Sequence, residues 1–137
     1  MKYAYFIVIV ISLLTSTSWS FTTNPQIRSC RLAGGEFVEV KTAQDQIGLC
    51  KFGSAYIGAL DILQYTDTKE YSLAALYFGI DLRLCDGTVI DAENLEKTQS
   101  FKLCTYNGES YIEMNTLNKG VHHPDNKQLK DFLNYKY

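Results

Sequence analysis

The chain holds two prolines, two histidines and one tryptophan, and its bases do not outnumber its acids: 13 basic side chains stand against 15 acidic ones, for a net charge of −2. Each shortage closes off a class. Without a basic excess there is no electrostatic footprint for a phosphate backbone, so no nucleic-acid partner is expected. His122 and His123 are adjacent and cannot supply a His-Glu-x-x-His run, and neither a Gly-x-Ser-x-Gly elbow nor a phosphate loop is present. The four cysteines lack the close Cys-x-x-Cys pairs that organise a tetrahedral zinc site. Their even number leaves no odd thiol for a nucleophile. No cofactor or metal is therefore expected.

Long apolar runs are also missing, except at the start. Lys2 precedes the apolar residues 3–14, and Ser18-Trp19-Ser20 places small residues around a cleavage point, the three parts of a secretory leader. The apolar stretch is short of the ~20 residues that cross a bilayer, which weighs against a retained anchor. Cleavage is predicted after Ser20, leaving residues 21–137 as one compact domain with no stable transmembrane segment. The expected destination is secreted or periplasmic.

In that compartment Cys30, Cys50, Cys85 and Cys104 are expected to form disulfides, with three pairings open. Spacing and context favour Cys30 with Cys50 and Cys85 with Cys104. Closing loops of about 20 residues is worth roughly 3 kcal/mol each on the chain-entropy account.

The favoured pairing rests on a pattern written twice. Both Cys30 and Cys85 stand beside Arg-Leu and are followed by a glycine turn. After a polar gap come Leu49-Cys50-Lys51-Phe52 and Leu103-Cys104-Thr105-Tyr106, each leading through a glycine-bearing turn with serine to Tyr-Ile. Repeat-like units are assigned to 24–65 and 80–117, with a C-terminal extension over 118–137. Strands are predicted over 36–40, 46–52, 88–90 and 100–106, with polar connections over 42–46 and 91–99. Ile47 and Leu49 should share one face of their strand, and Cys50 and Phe52 the other. A central helix is expected to be capped by Asp67, with Glu70 completing a capping box and Tyr71, Ala74, Ala75 and Phe78 as its buried stripe. Residues 54–64 read as helix or strand, with helix favoured. In the tail, Leu129, Phe132 and Leu133 mark a short amphipathic turn or helix able to pack on the domain, a peripheral element rather than a second domain. The fold class is α+β: small duplicated disulfide-stapled β-hairpin units with a central helix.

The first unit resembles the DUF333 family of small exported bacterial domains, found in envelope proteins labelled hemolysins. The matching features are Asn24-Pro25, Cys30, Gly34-Gly35, Gly48-Leu49-Cys50-Lys51-Phe52 and Gly53-Ser54, within residues 24–65. The chain departs from the family at Tyr56, near where a further cysteine is common. The resemblance implies a secreted or envelope bacterial protein of disulfide-bearing hairpin architecture, and it implies no reaction.

Chemistry-bearing clusters are sparse. His122, His123 and Asp125 form the one histidine cluster, with side chains that diverge in extended backbone. Asp81 with Glu113, or Asp61 with Asp86, would be the carboxylate pairs of a glycosidase, though nothing in their spacing singles them out. Tyrosines are more suggestive, because the ring buries while the hydroxyl stays wet. Phe52 matches Tyr106 and Tyr56 matches Tyr111, so these rings either complete a thin core or, with Ser54 and Asn107, present paired turns to a protein partner or a cell-wall glycan. The favoured function is a non-enzymatic binding or inhibitory module acting on an envelope or extracellular protein. The alternatives are a structural accessory protein of an envelope assembly and a small cell-wall-directed hydrolase.

Overall fold

The structure, a computed structural model, describes residues 24–136, so the expected leader lies outside the described residues. Helix α1 (Pro25–Leu32) comes first. The Asn24 side chain accepts the Gln26 N–H at 2.9 Å, and Pro25 occupies the first turn, where a missing N–H costs nothing. Strands β1 (Glu36–Lys41), β2 (Gln46–Phe52) and β3 (Ala55–Gly58) follow, then helices α2 (Ala59–Thr68) and α3 (Leu73–Gly79). Strands β4 (Thr88–Asn94), β5 (Ser100–Tyr106) and β6 (Ser110–Glu113) lead into α4 (Met114–Lys119), a 3-10 turn (Pro124–Asn126) and α5 (Lys127–Leu133).

The described strands close into a barrel in the order β1-β2-β3-β6-β5-β4, every pair antiparallel. Its two seams are short. β3 meets β6 at Ile57 and Ile112, and β1 meets β4 at Val40 with Asn94 and Lys41 with Glu93. Next to the first seam, side chains take over from the ladder: Tyr56 N–H donates to Thr116 Oγ1 at 3.0 Å, and Tyr111 N–H to Asp61 Oδ2 at 3.1 Å.

Strand alternation divides the apolar residues into two cores. Val40, Leu49, Tyr56, Ala92, Phe101 and Leu103 come from five strands and fill the barrel. Cys50, Phe52, Ile57, Cys104, Tyr106 and Ile112 face outward and are covered by helices. Each large apolar side chain so buried contributes about 1.5–3 kcal/mol. The disulfides join Cys30 to Cys50 and Cys85 to Cys104, tying α1 and the loop before β4 to the outer face of β2 and β5.

Two local expectations change. Asp67 caps nothing, because it lies in the last turn of α2, which continues past it until Lys69 turns left-handed at φ 60°. The cap of α3 is Ser72, whose Oγ accepts the Ala75 N–H at 3.3 Å. The connection expected over 91–99 is shorter, since β4 runs on to Asn94, paired through Asp91 with Lys102 and Ala92 with Phe101. The tail packs on the domain through the three residues singled out in it: Leu129 and Leu133 are fully buried, and Phe132 stacks on Phe52 with centroids 5.7 Å apart. Residues 54–64 divide between both readings, as β3 and then the start of α2.

Candidate binding groove

Hydrophobic demand separates the proposed interface residues. Phe52 is fully buried and Tyr106 nearly so, stacked on Tyr77 at 4.9 Å. Tyr56 is buried edge-on against Phe101 at 5.1 Å. These three rings are core, which is the plainer of the two readings of the tyrosine pattern. Tyr111 is half-buried, its hydroxyl donating to Gly108 O at 2.8 Å, while Ser54 and Asn107 lie exposed in their turns.

Ser54 and Tyr56 instead border a groove of about 1000 Å³. One wall is α4, with Met114, Asn115 and Asn118; the other is β4 and the start of β5. Val89 on β4 is 48% exposed there. The groove-lining residues also include Lys41, Lys97, Lys102 and Lys119, together with the acids Asp91, Glu93 and Glu113. Lys102 pairs with Asp91 at 3.0 Å and Lys119 with Asp125 at 2.8 Å, whereas Lys41 and Lys97 have no ion pair among the described residues. The lysine beside Asp125 holds that carboxyl below the usual carboxylate range. Glu113 is spent inside the fold: its oxygens accept the Asn115 N–H at 2.6 Å and the Thr116 N–H at 3.2 Å, capping α4. Sequence reasoning reached this groove at Ser54, Tyr56 and Glu113 and not at its other walls, because strands far apart in the chain assemble them.

A second polar site lies between α2 and α3, beside a pocket of about 230 Å³. Asp61 is buried there, and desolvation lifts its carboxyl from 3.8 to about 6, against the hydrogen bonds from Ser110, Ser72 and the Tyr111 N–H that favour its charge. Ser110 Oγ donates to Asp61 and accepts the Ala74 N–H at 2.9 Å, so it is committed to joining β6 to α3. The other acids named in the sequence serve separate tasks. Asp81 binds Arg83 Nε at 3.1 Å and the Val121 N–H at 3.3 Å, Glu113 caps α4, and Asp86 is exposed. His123 Nδ1 accepts the Asp125 N–H at 3.1 Å, and among the described residues no group of three or more His, Cys, Asp or Glu side chains converges on a metal position. Among the same residues no helix is long and apolar enough to cross a membrane.

No family model, curated protein or solved structure matches the chain. The geometry of the groove therefore carries the functional reading.

Proposed function

We propose that this chain is an exported binding module, built from two related units, that acts on an envelope or extracellular protein through the groove between α4 and β4. The observation that carries this is the groove itself: an open space of about 1000 Å³ that presents Val89, Lys41 and Lys97, none of them used in the core or in an ion pair of the described fold.

Residues 25–79 and 80–134 are the two units. Support comes from the seams, where corresponding residues meet each other: Ile57 with Ile112 and Lys41 with Glu93. It comes also from the reciprocal bonds of Tyr56 to Thr116 and Tyr111 to Asp61, each joining a strand of one unit to the helix of the other. The ring stacks agree. Phe52 on Phe132 corresponds to Tyr106 on Tyr77, which makes α5 the counterpart of α3 and brings the C-terminal extension into the second unit. The resemblance of residues 24–65 to the DUF333 domains and the two disulfides support the envelope or extracellular setting.

Capture of partner protein from envelope extract on the immobilised chain tests the reading. Val89→Arg is expected to lower capture about tenfold or more, as blocking the centre of an interface does, and Leu32→Arg, at an exposed leucine outside the groove, to leave it unchanged. Equal capture by both variants would reject the groove.

A further inference from the structure

α1 packs on α2, β1 and β2, and lies close enough that a Cβ on Gly48 would stand 2.5 Å from the Phe37 ring and 3.3 Å from Gln26 Oε1. In chain order the counterparts of those three elements are α4, β4 and β5. They are the walls of the groove. Val89 pairs with Cys104 in β5 as Phe37 pairs with Cys50 in β2, so it stands where Phe37 meets α1.

The second unit leaves this seat open for a local reason. Residues 80–87 precede β4 as α1 precedes β1, but they lack the asparagine-proline start of α1 and are not helical. Asp81 and Arg83 adopt φ 59° and 63°, left-handed values that end helical continuation. Asp81 Oδ1 then holds the Val121 N–H at 3.3 Å, drawing the segment towards the C-terminal side of α4.

We infer that the open seat receives a short amphipathic helix of a protein partner, carrying acidic side chains along the flank that meets the lysines. The inference rests on the groove being the binding surface, as proposed above. α1 has eight residues, which sets the occupant at about two turns. Its apolar side meets Val89 and Met114. Its acids meet Lys41 and Lys97, two cations without an ion pair among the described residues against one such acid, Glu93, in the same lining, on a chain whose net charge is −2. Such complementarity steers association and sets orientation. A second copy's α1 has the wrong sign for this rim, because its charged residues are Arg28 and Arg31.

The test places a photoreactive benzophenone side chain at position 89, 118 or, outside the groove, 32 of the full chain, which is irradiated with envelope extract before the adducts are sequenced. The expected result is that adducts from 89 and 118 map to one acidic helical segment of a single protein. Combined Lys41→Gln and Lys97→Glu should lower their yield about tenfold, with the thermal unfolding midpoint unchanged. Adducts to a strand, a basic segment, a glycan or a second copy, or a yield indifferent to these substitutions, would overturn the helix and leave the groove as a binding surface. Adducts at 89 and 118 no more abundant than at 32 would overturn both.

Discussion

Asp61 takes a cost that most surface carboxylates avoid. Its folded state holds a proton more tightly than the unfolded chain, with a value of about 6 against 3.8. Below pH 3.8 both states are protonated and folding keeps its full benefit. As pH rises from 3.8 to about 6 the unfolded chain releases the proton first, and stability falls; above that window the effect levels off. Denaturant unfolding of the chain and of Asp61→Asn at pH 4 and pH 7 is expected to show the stability difference moving against the aspartate by roughly 2 kcal/mol. A constant difference would contradict the raised folded-state pKa of Asp61. Tyr106 poses the opposite question, since its buried hydroxyl finds no hydrogen-bond partner among the described residues and burial lifts its pKa to about 12. Tyr106→Phe is therefore expected to be neutral or stabilising by up to about 1 kcal/mol, read from the thermal midpoint, and a loss of that size would reveal a partner for the hydroxyl.

Among the elements, strands were the most legible. Alternation of Ile47 and Leu49 against Cys50 and Phe52, bounded by turn residues, marks β2 over 46–52, and the same pattern marks β5 over 100–106. Helix starts were less so. Asp67 and Glu70 imitate a capping box, yet the buried side of α2, with Ala59 and Ile62, carries that helix beyond Asp67, and Ser72 becomes the next cap. Ser72→Ala should accordingly cost about 1 kcal/mol, whereas Asp67→Ala should change stability by less than ~0.5 kcal/mol. Equal effects in chemical denaturation would return the cap to Asp67. α1 had a local signal in Asn24-Pro25, the cap and first-turn pair that begins it.

For the molecule as a whole, the disulfide pairing was legible because each bridge closes within one half of the chain. The barrel and the groove were not, because they arise from strands that meet across it. β3 reaches β6 and β1 reaches β4 through one or two residue pairs, contacts that no local periodicity announces. Burial of Phe52, Tyr56 and Tyr106 likewise depends on elements remote in sequence: α5 covers Phe52, Phe101 packs on Tyr56, and α3 covers Tyr106. The space along β4 and α4 stays open after that packing, and the central claim is that a partner fills it. Amide hydrogen exchange of the full chain with and without its captured partner measures this most directly. Slowed exchange is expected over residues 88–93 and 114–119, with 25–38 unchanged. Protection confined to the exposed stripe Leu73, Leu76 and Ile80, to the turn at Asn107, or to no segment would contradict it.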